Sequence, residues 1–459
     1  MQKQFAPIDA TGSSAGAGAW NKNKLYSRAV ESVIWGTPIV STYAMRKALF
    51  RDANAKYNDI VYWSKPADWK LQITTPNAAS YYVYLNYNTK DGPVVLDFPA
   101  AVGAGLFGTL LDAWQVPLTD VGPAGDDKGK GGKYLIIPPG YKEEVPEGYF
   151  TVLSETYNGY AAFRLIPVSA SDEDRQTAID LVKQMRLYPL SQAANPPAQN
   201  YIDMAGKLFD GVVQFDETFF DVLAKMIDEE PLKTQDLVAI AQLRTIGIEK
   251  GKGFNPDAAT KEVLKKAAND ALGYFMDLNL TGIDPFWSGT HWGLHKMIGP
   301  ETAFTYISRE DNYYDIEGRG MTFFTACGVP KKLGAATFYL AETVDAAGNP
   351  FQGEKSYRLH VPANVPAKQY WAVTVYDNVT CCFIKESPVL ALDSYNADMK
   401  RNADGSVDIY FGPEAPAGKE SNWIYTVRGK GWWTFFRFYG PDKAVFDKTW
   451  TMGDIEEIK

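Results

Sequence analysis

The sequence predicts a mainly β protein with an α-helical middle block. Three observations carry that expectation. Apolar residues alternate along the chain up to about residue 168, recur at a helical period of about 3.6 through about 310, and alternate again to the C-terminus. Asp-Gly pairs at 91–92 and 404–405 stand beside alternating runs, where tight turns need them. Aromatic residues make up 14% of the chain, a load that favours strands and sandwich cores. The resulting division is a flexible N-terminal segment at 1–19, a β-rich region at 20–168, a helical connecting block at 169–310 and a C-terminal β-sandwich at 311–459.

In chain order, "NKLYSRAVESVIWGTPIVSTYAMRKALF" is a helical pattern expected to kink or break at Gly36–Pro38, because proline lacks a donor and clashes with the preceding turn. Strands follow at "LQITTP", "SYYVYLNYN", "GPVVLDFPA", "KYLIIPP", "YFTVLSE" and "YAAFRLIPV". Ser171 precedes a run of acids and caps the next helix, whose face holds Ile179, Val182 and Met185. The clearest helix is "NPDAATKEVLKKAANDALGYFMDL", with Val263, Leu264, Ala267, Ala268, Ala271 and Phe275 as its stripe. Beyond residue 311, "QYWAVTVYD", "NADGSVDIYFG" and "GWWTFFRFYGP" are short strands with turn signals between them.

The formal charge is -9, and no Lys/Arg run tracks a phosphate backbone, so nucleic acid is not an expected partner. No stretch reaches the roughly 20 apolar residues needed to span a bilayer. The first residues lack the apolar centre of a signal peptide and read as a linker. The three cysteines, Cys327, Cys381 and Cys382, give no disulfide framework, since strand neighbours point to opposite faces.

Two glycine motifs are set aside. "GSSAG" has linker flanks where a nucleophile elbow needs a strand and a helix. "GAGLFG" at 103–108 follows a strand, but "TLLDAWQVP" leaves room for only a short helix before Pro117, so no dinucleotide fold is expected. Cys327 reads as a buried thiol rather than a nucleophile. "GTHWGLHKMIGP" places His291 and His295 four residues apart, on one face if helical. A metal set would need His360 as third ligand or a carboxylate from Asp284, Glu301, Asp311 or Asp315. The favoured reading is instead that each ring has a backbone or carboxylate partner and that the pair lines a cleft at a domain boundary, walled by Trp287 and Trp292.

The C-terminal stretches "GAATFYLAETVDAAGNPFQGEKSYRLHVPANVPAKQYWAVTVYD", "NADGSVDIYFG", "ESNWI" and "FFRFYGPDKAVFDKTWTMGDIEEI" resemble the bacterial family called domain of unknown function 1214. "AVESVIWGTPIV", "TTPNAASYYVYLNYNTKDGPVVLDFP", "LLDAW" and "YLIIPPGYKEEVPEGYFTVLSETYNGYAAFRL" resemble its usual partner, domain of unknown function 1254. The family commonly has Asp-Thr after "TPNA"; here Ala79 and Ser80 stand there. The resemblance implies two antiparallel β-sandwich (jelly-roll-like) domains bridged by helices, frequent export to the periplasm or outside the cell, and homo-oligomers. It carries over Arg319, Trp371, Tyr376, Asp377, Asn422, Trp423, Arg437 and Tyr439 by motif position. Arg319, Asp377 and Arg437 stand out, because a buried charge needs a partner.

The leading functional expectation is an exported protein that binds a small polar ligand or glycan in an aromatic- and Arg-lined cleft. Its candidate residues are His291, Trp292, His295, Arg319, His360, Trp371, Tyr376, Asp377 and Arg437. One alternative is a hydrolase using His291 and His295, with or without metal; another is a structural homo-oligomer. No cofactor is expected.

Overall fold

The computed structural model describes residues 14–169, 171–296, 299, 302–332 and 337–458, with side chains from Asn21 onward. The flexible segment expected at 1–19 lies largely outside the described residues; from Ser14 the backbone is helical, as α1 (Ser14–Asp52).

Alternation in the first region builds a sandwich. One six-stranded sheet runs in the order Tyr201–Asp203, Ile60–Tyr62, Tyr81–Asn88, Asn158–Pro167, Ala104–Asp112, Pro117–Val121. A four-stranded sheet, ordered Arg186–Pro189, Val94–Phe98, Gly132–Ile137, Phe150–Leu153, covers one face. Val83, Leu85, Leu106 and Phe163 share a core with Leu96 and Ile136 across it. Helix α2 (Asp172–Val182) adds Ala178, Leu181 and Val182 to that core. Ser171 caps it, accepting from the Asp174 N–H at 3.1 Å. The stretch expected to be a helical block therefore gives its first helix and two strands to the first sandwich.

"GAGLFG" lies in the Ala104–Asp112 strand, antiparallel to Asn158–Pro167 with Gly108 opposite Phe163. The short helix expected at "TLLDAWQVP" is absent. That strand is central and covered on both faces: Leu110 enters the sandwich core and Leu111 the helical core. Burial on both faces gives a continuous apolar run, which periodicity alone does not separate from a helix.

The second sandwich has the same build. Its six-stranded sheet is ordered Ile283–Pro285, Gly293–His295, Thr337–Glu342, Trp432–Pro441, Ala367–Asp377, Ala391–Asp393. Its four-stranded sheet is ordered Trp423–Tyr425, Val407–Gly412, Ser356–Val361, Glu456–Ile458. Leu340, Val373, Val375, Phe436 and Phe438 meet Leu359, Ile409 and Phe411.

A third core joins the two. α1 packs against α3 (Thr218–Glu229), α4 (Leu237–Thr245), α5 (Ala258–Thr281) and α6 (Ile316–Thr325). The α5 stripe enters this core through Leu264, Ala267, Ala268, Ala271 and Phe275, while Val263 stays half-buried. The outer faces of both six-stranded sheets join the same core through Tyr84 and Tyr160 on one side and Tyr376 and Trp433 on the other.

Of the kink or break expected at Gly36–Pro38, the break does not occur; α1 stays helical through both residues. Its partners explain why. Pro38 removes the donor to the Ile34 carbonyl, and the α6 backbone at Gly320 lies close enough that an added Cβ would sit 2.6 Å from that oxygen. Arg319 donates to the Trp35 carbonyl at 2.8 Å, and the Thr37 hydroxyl donates to the Val33 carbonyl at 2.7 Å. Gln115 donates to the Pro38 carbonyl at 3.0 Å. Gly36 lets α3 approach, with its missing Cβ 2.9 Å from Leu223 Cδ1. Close packing against α3 and α6, with tertiary donors on the Trp35 and Pro38 carbonyls, holds the chain helical through the proline.

A candidate ligand site in the seam between the sandwiches

Strand parity sends Tyr82, Ala162 and Arg164 to the outer face of the first sandwich, and Tyr339, Tyr376, Phe435, Arg437 and Tyr439 to the outer face of the second. The two faces meet across the segment that follows Leu71. Arg437 donates to the Thr75 carbonyl at 3.3 Å, and the Tyr376 hydroxyl donates to the Pro76 carbonyl at 2.7 Å. Asn77 hydrogen-bonds the Tyr439 hydroxyl, and the Thr75 N–H donates to the Cys381 carbonyl at 2.7 Å.

Arg437 is only 2% exposed and has no carboxylate partner among the described residues. Its guanidinium lies 4.9 Å from the Tyr339 ring centre, 5.0 Å from Phe435 and 5.5 Å from Tyr376. The guanidinium interacts with the Tyr376 hydroxyl, while Nε and Nη1 have no geometric hydrogen-bond partner among the described residues. Arg164 donates to the Tyr339 hydroxyl at 3.3 Å, and among the described residues its charge partners are Tyr339, Tyr82 and Tyr439. Burial pushes the Tyr339 phenol up, but the two arginines outweigh it and bring it down to about 8. Tyr439 moves the other way: burial and the Tyr339 charge both hold its phenol well above the usual value.

Arg164 and Tyr82 also line a partly open cavity of about 90 Å³, together with Thr74, Tyr84, Tyr160 and Cys327, with Arg437 lying outside that lining. Its far wall is apolar, formed by Met45, Trp63, Leu71 and Phe209. A buried hydroxyl on this lining, Thr74 Oγ1, has no hydrogen-bond partner among the described residues, while Tyr84 interacts with Asn86. Burial pushes the Cys327 thiol up, so it stays protonated and is no nucleophile.

Residues 57–189 match the family model "Protein of unknown function (DUF1254)", and residues 336–443 match "Protein of unknown function (DUF1214)". The chain carries DUF1254 followed by DUF1214. Among solved structures, the chain is similar to the VPA0106 protein from Vibrio parahaemolyticus, at 17% identity and TM-score 0.54, with 95% of this chain and 100% of that one covered. That likeness shows the shared fold. A putative uncharacterized protein from Burkholderia cenocepacia matches at 12% identity and TM-score 0.40, covering 97% of each chain. No curated protein matches the chain.

The seam is therefore built from both families. DUF1254 supplies Tyr82 and Arg164; DUF1214 supplies Tyr339, Tyr376, Arg437 and Tyr439. Of the nine residues singled out from the sequence, the structure brings only Tyr376 and Arg437 to this place. Arg164 and Tyr339 were missed, although both lie inside the motif stretches. Their signal was a polar side chain on the second face of a strand that is buried on both.

The other seven disperse, each with its own partner. Trp371 stacks on Phe436 at 5.4 Å in the second sandwich core. Trp292 fills the same core, and its indole donates to the Gly453 carbonyl at 3.1 Å. Asp377 closes a turn by accepting from the Val379 and Thr380 N–H groups at 2.9 and 3.1 Å, and it pairs with Lys430 at 3.3 Å. Arg319 lies 4.9 Å from the Trp114 ring and hydrogen-bonds Tyr314 while it serves the α1 carbonyl.

The histidines do not share a helix. His291 precedes and His295 ends the Gly293–His295 strand, because Gly293 pairs with Pro285 and Ala341 in the sheet. His291 Nδ1 meets Asp454 Oδ2 at 2.8 Å. His295 Nε2 meets Asn279 Oδ1 at 2.8 Å, and burial brings its ring down to about 4, so it is neutral. His360 Nδ1 meets Asp408 Oδ1 at 2.8 Å on the exposed four-stranded sheet. The set His291, His295 and His360 does not converge. The group that does, among the described residues, is His291 with Glu342 and Asp454. Of the four carboxylates considered as further ligands, Glu301 lies outside the described residues; Asp284 pairs with Lys296, Asp311 with Ser308, and Asp315 caps α6.

Proposed function

We propose that this DUF1254–DUF1214 protein binds a small carboxylate with a short apolar tail in the seam. The observation that carries the reading is two arginines, Arg164 and Arg437, set among tyrosines with no Asp or Glu paired to them among the described residues. Buried cations without a counter-charge are costly, and a bound anion supplies one. The Thr74 hydroxyl, without a partner among the described residues, is a further donor to its oxygens. The apolar wall of Met45, Trp63, Leu71 and Phe209 suits a tail. Size narrows the class: a cavity of about 150 Å³ holds benzene, so about 90 Å³ fits a short chain rather than a sugar ring.

Calorimetry with acetate, propionate, butyrate, phosphate and methyl butyrate tests this. Saturable binding of a short carboxylate, and none of the neutral ester, is the expected result; no binding of any carboxylate sinks the reading. The pH dependence is also fixed. Tyr339 is neutral below about 8, and above that its phenolate neutralises the arginines and competes with the ligand. Affinity is then expected to fall by about tenfold per pH unit above 8, up to the free phenol value near 10. Stability runs the opposite way: the depressed phenol contributes fully above about 10, and that contribution is lost as pH falls through 8.

Homo-oligomer assembly and export to the periplasm or beyond belong to the same reading. They are supported by the family resemblance and the aromatic content, and no described helix is long and apolar enough to cross a membrane. An oligomer is expected by sedimentation velocity at micromolar concentration; a monomer there counts against assembly.

A further inference from the structure

We propose that His291, Glu342 and Asp454 form a binding site for a divalent cation of the zinc class, separate from the seam. Three distant chain segments bring one ligand atom each within 4.8 Å of the others. His291 comes from the loop before the Gly293–His295 strand, Glu342 from the end of the Thr337–Glu342 strand, and Asp454 from the segment before the last strand.

The charge arrangement points to a cation. Glu342 is fully buried, yet the only N–H that reaches it among the described residues is that of Ile455, shared between its oxygens at 3.1 and 3.3 Å. A carboxylate has about four acceptor sites, so Glu342 is underserved. Its neighbours Asp454 and Asp345 are also acids, and no Lys or Arg pairs with Glu342 or Asp454 among the described residues. Asp345 is taken up by its own turn, accepting from the Ala347 and Asn349 N–H groups at 2.9 Å. The site is reachable, because the His291 side chain keeps 39% exposure.

Ligand chemistry sets the class. One imidazole and two carboxylates suit zinc, whereas calcium and magnesium prefer all-oxygen shells. Zinc about 2.1 Å from each ligand sets neighbouring ligand atoms about 3.4 Å apart. The His291–Asp454 contact of 2.8 Å then opens slightly as the metal replaces the proton between them. Asp454 also accepts from the His291 backbone N–H at 2.7 Å, which orients it as outer partners of metal ligands do. The ion would tie the segment that leads into the Glu456–Ile458 strand to the edge of the six-stranded sheet.

The rival arrangement is one proton shared between Glu342 and Asp454, with no metal. Chelator-treated full-length protein titrated with zinc chloride separates the two. One equivalent of zinc is expected to bind, to raise the unfolding midpoint with concentration, and to fail in Asp454→Asn and Glu342→Gln. Glu342→Gln keeps the neutral, hydrogen-bonding shape of a protonated acid, so its metal-free midpoint should match the parent and show that it folds. His360→Ala removes the surface His360–Asp408 pair and should bind zinc as the parent does. No saturable binding, or binding retained in both Asp454→Asn and Glu342→Gln, overturns the proposal. Neither result bears on carboxylate binding in the seam.

Discussion

Arg437→Met is expected to weaken carboxylate binding by about 30-fold or more, since losing one partner of a buried charged contact costs at least about 2 kcal/mol. The same change should return the Tyr339 phenol from about 8 toward or above its free value, because one of the two cations that lower it is gone. Tyrosinate absorbance against pH reads this directly: one early-titrating tyrosine in the parent and none in the variant. Stability should change little, because an apolar side chain of similar volume often replaces a buried ion without loss. Tyr339→Phe is the companion variant. It should keep carboxylate binding and remove its decline above pH 8. An unchanged tyrosine titration together with unchanged affinity in Arg437→Met would falsify the assignment of this arginine to the ligand.

Gly320→Ala is expected to destabilise the fold strongly. The added Cβ would stand 2.6 Å from the Ile34 carbonyl oxygen and 3.1 Å from the Phe275 ring. Backbone oxygen cannot move away cheaply, so overpacking of about 3 kcal/mol is expected. Gly273→Ala is the control. It also lies in a helix interior, α5, but nothing approaches within 4 Å of its added Cβ. There the gain in helix propensity should stabilise by up to about 1 kcal/mol. Urea unfolding midpoints with unchanged slopes measure both. Opposite signs are the expected outcome; a stabilised Gly320→Ala would show that α6 does not press on the proline turn of α1.

Much of the fold was legible in the sequence because local periodicity reports which faces of an element are buried. The strands at 81–88, 367–377 and 432–441, the Ser171 cap and the α5 stripe were all readable in that way. Two elements whose course is set by distant neighbours were not. The Ala104–Asp112 strand and the course of α1 through Pro38 depend on neighbours far along the chain, and no local pattern names those neighbours.

The candidate site divides in the same way. By itself the sequence determined that arginines and aromatics in these motifs would be buried and need partners, and it marked Tyr376 and Arg437 among them. Only the tertiary structure decided that Arg437 shares Tyr339 with Arg164 of the other sandwich, while Arg319 and Asp377 find their partners elsewhere in the scaffold. It also decided that His291 joins Glu342 and Asp454 rather than His295. The reason is physical: charge and pKa depend on distance in space, and residues such as Arg164 and Tyr339, 175 positions apart, are brought together only by the packing of two sheets.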